Sequence, residues 1–286
     1  MVVVKAAVRS SLRRLIPTRF QPAVRKIFYL PADSLDLLLG RRGTLTPPRG
    51  RIFFSAGDFK KSGERFVQLL AEPGGLKPDD RVLDVGCGIG RMAVPLSRYL
   101  DAKGSYEGID IVPEGIEWCR KKITSQFSNF HFTLADVHNK QYHPAGKNKA
   151  SEYVFPYKDD SFDFVFLSSV FTHMNLEEVD NYLSEIARVL RDGGRSMITF
   201  FLLTQESLEL MESGVSTINF KHALNGYRTR ERGTPEVGIA YPEGTVRALY
   251  KRYGLDIEEP IRYGLWCGRR KRLLYQDIVI ASKQSK

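Results

Sequence analysis

Glycines at 86, 88 and 90 stand at alternate positions in the stretch Val82-Leu83-Asp84-Val85-Gly86-Cys87-Gly88-Ile89-Gly90, directly after a short apolar run. A chain that leaves a strand through such a turn can bring its backbone close to a ligand and adopt positive φ where the bend requires it. The helix that follows offers free N–H groups and a partial positive charge, suited to a carboxylate or a phosphate. A strand–glycine turn–helix unit of this kind opens an α/β sheet.

The rest of the chain agrees. Strands are predicted over 81–86, 105–111, 129–136, 162–170 and 195–203, with helices over 91–100, 113–123 and 176–190 between them. In the last helix Leu176, Val179, Leu183, Ile186 and Leu190 share one face, Asn175 and Glu178 form a capping-box pair, and Gly193-Gly194 mark the end. A further helix is expected from Pro242 to Tyr253, and strands over 254–261 and 273–282 close the chain. Strand–helix alternation means a parallel sheet covered on both faces. The last two strands are joined without a helical pattern, which favours an antiparallel hairpin. Residues 137–161 and 204–241 lack periodicity, and each follows the C-terminal end of a strand, where open α/β sheets bind their ligands. They are candidate lid or acceptor segments.

The net charge of +10 is unevenly placed. Residues 1–51 hold eleven Lys and Arg and two acids, net +9, whereas the remaining residues hold 32 basic and 31 acidic groups. The basicity therefore belongs to an N-terminal arm (residues 1–58), and residues 59–286 form the main domain. A nucleic-acid enzyme more often carries its basic face on the catalytic body, so nucleic acid is an unexpected partner. The arm suits a solvated helix along the domain or a peripheral contact with an anionic membrane through residues 1–30. The first 28 residues contain no acid, which also fits a mitochondrial transit peptide. Prolines at 17, 22, 31, 47 and 48 predict only short helices in the arm. No apolar run is long enough to span a bilayer. Three cysteines at 87, 119 and 267 match neither a disulfide framework nor a metal site. A cytoplasmic location and no metal are expected.

Two more acids stand at the ends of the second and third strands. Asp110 lies 20 residues beyond Gly90, and the two oxygens of a carboxylate there can accept both hydroxyl protons of a ribose. Asp136 could take a hydrogen bond from an adenine amino group. One acid per strand end, in order, outlines a nucleoside pocket. The glycine spacing is GxGxG, whereas a dinucleotide dehydrogenase prefers GxGxxG.

The segments VLDVGCGIGRMAVPL, YEGIDIVPEGIEWC, FTLAD, FDFVFLSSVFTHM and VLRDGGRSMITF resemble the successive motifs of class I S-adenosylmethionine (SAM)-dependent methyltransferases, closest to the bacterial small-molecule type. The resemblance implies a Rossmann-like, doubly wound seven-stranded sheet of order 3-2-1-4-5-7-6 with strand 7 antiparallel. It implies that Asp84 with Gly86, Cys87, Gly88 and Gly90 holds the methionine part of SAM. By the same resemblance Asp110 would bind the ribose with Ile111 against the adenine, and Asp136 and the Val137 amide would meet the adenine edge. Ser168 would lie beside the methyl donor, Phe59 and Gly63 would belong to a segment that closes over SAM, and the product would be S-adenosylhomocysteine.

A hydroxyl or amine acceptor needs a base, and His173, just past the fourth strand, is the candidate. His138, Tyr142, His143 and Tyr241 are read as pocket walls or surface groups rather than bases. The fourth strand ends in Leu-Ser-Ser-Val, without the tetrapeptide of amino-directed DNA methyltransferases. The aromatic and glycine content of 219–241 and 263–266 suits a sugar, a lipid-linked compound or another small molecule, and Gly268-Arg-Arg-Lys-Arg272 forms a basic tip. The expected activity is methyl transfer to an oxygen or nitrogen of such an acceptor. The alternatives are a protein or RNA methyltransferase, or a non-catalytic SAM-binding interaction subunit.

Overall fold

The computed structural model describes residues 21–52, 58–140, 142–270 and 272–285. The expectations placed on residues 1–20, including the first part of the membrane contact and the transit peptide, and on Lys271 of the basic tip lie outside the described residues.

Among the described residues the α-helices and strands follow in this order: α1 (Gln21–Leu38), α2 (Phe59–Ala71), β1 (Arg81–Val85), α3 (Ala93–Tyr99), β2 (Ser105–Asp110), α4 (Pro113–Cys119), β3 (Phe130–Leu134), β4 (Phe162–Leu167), α5 (Leu176–Val189), β5 (Leu190–Phe200), β6 (Leu202–Leu203), α6 (Gln205–Glu212), β7 (His222–Leu224), β8 (Tyr227–Thr229), β9 (Ile239–Pro242), α7 (Glu243–Arg252), β10 (Leu255–Ile257) and β11 (Asp277–Lys283). The main sheet has seven strands in the order β10-β11-β5-β4-β1-β2-β3. β11 runs antiparallel to both β5 and β10, and the other pairs are parallel. This is the expected doubly wound, Rossmann-like order.

Period-two alternation divides the strand side chains between two cores. Leu83, Val165, Ile198 and Val279 pack on the face covered by α5 and α7. Val82, Phe164, Met197 and Ile278 pack on the opposite face, against α2, α3 and α4. The predicted capping box opens α5: Asn175 Oδ1 accepts from the Glu178 amide at 3.0 Å, and Glu178 Oε2 accepts from the Asn175 amide at 2.7 Å. Reciprocal caps of this kind contribute about 1 kcal/mol.

Three expectations are corrected. The arm is not limited to short helices, because α1 runs 18 residues with Pro31 inside it. An interior proline removes one hydrogen bond and crowds the carbonyl four residues back. That carbonyl belongs to Ile27, which is 72% exposed, so water can take the bond the helix loses. Gly193-Gly194 do not end α5: β5 begins at Leu190, and the glycines lie inside the strand where its register against β4 shifts between Phe162 and Phe164. The segment 204–241 is not irregular. It carries α6 and most of a second sheet of order β6-β9-β8-β7. That sheet rests on the turn Phe171–His173 that follows β4. Among the described residues no helix is long and apolar enough to cross a membrane.

Candidate active site

The pocket begins where β1 ends. Parallel register aligns Asp84 with Gly108 of β2 and Phe166 of β4, and Asp110 with Leu134 of β3, so the strands finish along one edge of the sheet. Gly86, Gly88 and Gly90 all have positive φ, of 89°, 60° and 78°, the conformation for which their spacing argues.

Asp84 lies beneath this turn with no solvent exposure. Its Oδ2 accepts from the Tyr106 hydroxyl at 2.6 Å, whereas its Oδ1 is buried without a hydrogen-bond partner among the described residues. Burial raises the carboxyl to about 7; the Tyr106 bond and the charge of Arg91 oppose that rise. An unpaired buried carboxylate oxygen is costly, and its presence beside the glycine turn marks a place for a cationic donor. Tyr106 was not anticipated; its only sequence signal is an aromatic on the inward face of a predicted strand.

Asp110 ties the turn together. Its Oδ2 accepts from the Gly88 amide at 2.7 Å and its Oδ1 from the Val112 amide at 2.8 Å. Each carboxylate oxygen has a second lone pair, so the group can still accept from a diol. Burial pushes its pKa up, against the loop amides. Ile111 follows half-buried on the edge of the core. Asp136 is more open: its Oδ1 accepts from His143 Nε2 at 3.2 Å and from the Lys147 amide at 3.3 Å. The Val137 amide donates to the Ala135 carbonyl at 2.8 Å, so it is engaged inside the chain rather than presented to the pocket. His143 is a partner of Asp136, and His138 bonds the Pro144 carbonyl through Nδ1.

Phe59 and Gly63 lie buried on α2, which Asp58 caps by accepting from the Lys61 amide. A Cβ at Gly63 would come 2.3 Å from the Arg91 carbonyl, so only glycine lets α2 lie against the glycine turn. Cys87 is buried, and all three cysteines are free thiols.

On the other side of the pocket Ser168 is half-buried at the end of β4. Ser169 follows with a φ of 61°; its amide donates to Thr199 Oγ1 and its hydroxyl to Gln276 Oε1, both at 2.8 Å. His173 is held through Nδ1 by the Glu236 carbonyl at 2.7 Å. A carbonyl only accepts, so Nδ1 carries the hydrogen and Nε2 keeps a lone pair. Burial lowers the pKa of the ring from 6.5, against the Glu236 bond, so the imidazole is neutral at pH 7.

Tyr241 does not line the pocket. It is fully buried, and its hydroxyl donates to the Phe171 and Met174 carbonyls, fixing the His173 turn from below. A cluster at the start of β11 also escaped the sequence reading. Asp277 accepts from the amides of Leu202 (2.7 Å) and Gly264 (2.6 Å), from Trp266 Nε1 (2.8 Å) and from the buried Arg269 (3.4 Å). It ties the second sheet to the main one; an acid heading an apolar strand was the available signal.

Residues 76–224, just over half of the chain, match a family described as a methyltransferase domain. The chain belongs to the class I SAM-dependent methyltransferases. SAM is its cofactor, and the buried Asp84 oxygen, the left-handed glycine turn and the bridging Asp110 fit that group. The methyltransferase GfsG of Streptomyces halstedii is 32% identical over 140 residues, covering 48% of this chain and 44% of that protein. A fatty-acid O-methyltransferase of Mycolicibacterium smegmatis is 32% identical over 119 residues, covering 42% of this chain and 36% of that protein. The match thus spans less than half the length of either relative. The PH0226 protein of Pyrococcus horikoshii shares the fold, with a TM-score of 0.53 at 18% identity over 82% of this methyltransferase and 97% of that chain.

Proposed function

We propose that this methyltransferase moves a methyl group from SAM to an oxygen or nitrogen of a small-molecule, sugar or lipid-like acceptor, with residues 59–286 as the catalytic unit and residues 1–58 as a basic arm. The observation that carries the reading is the partnerless oxygen of Asp84, buried beside the glycine turn that Asp110 braces. Asp84, Gly86, Cys87, Gly88 and Gly90 would hold the methionine part, Asp110 and Ile111 the ribose and one adenine face, and Asp136 and Val137 the adenine edge. The Val137 amide must first give up its bond to Ala135. Phe59 and Gly63 would close one side, and Ser168 would lie beside the methyl donor.

SAM supplies a sulfonium-activated methyl group, displaced in line. The chain's own task is alignment, exclusion of water and removal of the acceptor's proton. His173 suits the last: it is neutral, its Nδ1 is fixed by Glu236, and Nε2 remains as the base. The fatty-acid O-methyltransferase among the relatives supports a lipid-like acceptor.

Calorimetry with S-adenosylhomocysteine tests the donor site. Asp110→Ala should weaken binding at least about 30-fold, the loss expected from a single charged hydrogen bond of about 2 kcal/mol. Unchanged affinity in that variant, or no binding to the native chain, removes the reading. With tritiated SAM and a panel of fatty acids, phenols and sugars, His173→Ala should abolish the acidic limb of the pH–rate profile, which lies below pH 6.5. An identical profile in the variant excludes His173 as the base.

A further inference from the structure

Helix α1 is amphipathic, and its polar side faces inward. Arg25 Nε donates to the Gly50 carbonyl at 2.9 Å; Asp33 accepts from the Arg49 and Gly50 amides at 2.8 and 3.1 Å; Asp36 pairs with Arg49 at 2.6 Å. These residues, with half-buried Tyr29, recur at helical spacing and fasten α1 to the turn Arg49–Arg51. That turn is fastened in its own right. Arg51 and Lys26 both pair with Glu114 of α4, and the Arg51 guanidinium lies 5.8 Å from the Trp118 ring centre. Polar contacts thus fasten the helix to the catalytic domain, close to the donor site, because α4 starts three residues after Asp110.

The apolar side points away. Ile27 is 72% exposed, Phe28 66% and Leu38 83%, and Val24, Leu30, Leu35 and Leu37 are exposed with them. At 100° per residue these positions share one half of the helix surface. A contiguous apolar face of this size marks a binding surface.

Charge indicates the occupant. Residues 21–52 carry six Lys or Arg against two acids, and both acids are spent on Arg49, Gly50 and Arg42. Residues 1–20 add five cations and no acid. Most cations of residues 21–52 are tied to the domain or to these acids, so the excess charge is that of the arm as a whole, and a second copy docking on this face would bring two strongly basic arms together. An anionic bilayer offers hydrocarbon for the apolar half and phosphates for the cations of the arm.

We propose that α1 is an interfacial helix whose outward face, Val24 to Leu38, lies in an anionic lipid surface. This places the lipid contact on α1 and does not depend on the acceptor chemistry.

The full chain is sedimented with phosphatidylcholine vesicles, with and without phosphatidylglycerol. The native chain should bind the phosphatidylglycerol vesicles, and Ile27→Ser/Phe28→Ser/Leu38→Ser should bind them at least about tenfold more weakly, with its S-adenosylhomocysteine affinity and circular dichroism unchanged. A separate Leu38→Cys variant carrying an environment-sensitive dye should shift to the blue on the same vesicles. Equal binding by the triple variant, no binding by the native chain, or no dye shift overturns the proposal. So does a native dimer that the triple variant converts to monomer without any vesicle binding, which would assign the face to a second copy.

Discussion

Replacing Asp84 by asparagine tests the electrostatics of the donor pocket without any ligand. The carboxyl is fully buried and raised from 3.8 to about 7. A raised acid contributes stability that is fully present below the unfolded value of 3.8 and lost as pH rises through about 7. Between pH 5 and pH 8 the native chain should therefore lose roughly 3 kcal/mol from this one group, at about 1.4 kcal/mol per pKa unit. The substituted amide cannot ionise, so the Asp84→Asn variant is free of that loss. The amide does place a donor where Oδ1 lacked a partner, a cost of about 1–3 kcal/mol, but that cost does not vary with pH. The readout is the difference in melting temperature between native and variant chains. It should move by about 6–12 °C in the variant's favour from pH 5 to pH 8, at about 2–4 °C per kcal/mol for a domain of this size. A difference that stays constant across that range would mean that Asp84 is ionised without penalty in the fold, and the argument from its buried oxygen would fail.

Two further substitutions probe the scaffold. Gly90→Ala puts a Cβ 2.5 Å from Ile123 Cδ1 and 3.0 Å from Cys119 Sγ at a φ of 78°, and should destabilise the chain by about 2–4 kcal/mol in urea melts; a loss under about 0.5 kcal/mol would refute the strain argument. Asp277→Ala leaves the amides of Leu202 and Gly264 without their acceptor and deprives buried Arg269 of one of its two carboxylates, and should cost about 3–5 kcal/mol. A melting curve within experimental error of the native one would show that water replaces the cluster.

The glycine turn and the strand-end acids are legible because their constraints are local. Positive φ at Gly86, Gly88 and Gly90 and one acid per strand end leave a spacing that can be read directly, and parallel strands buried on both faces leave apolar runs. The second sheet is built from strands of two to four residues, too short to show a period. Tyr241 reads as a pocket wall or a surface group yet serves as an internal post, because only tertiary packing decides which side of a short strand is buried. Pro31 argued for a broken helix, but solvent at Ile27 lets the helix continue. Gly193-Gly194 marked an end that is instead a register shift within β5. The Val137 amide was assigned to a ligand, whereas a local turn to Ala135 occupies it.

The family match stops at residue 224, in β7. Beyond it come β8, β9 and the Glu236 carbonyl that orients His173, all hung on the main sheet through β6 and the Asp277 clasp. The glycine turn with its two acids and the carbonyl that fixes the His173 ring thus sit in separate stretches of polypeptide. Under the proposed function, exchange of that late insert between homologues should change which molecule is methylated while leaving the affinity for S-adenosylhomocysteine intact.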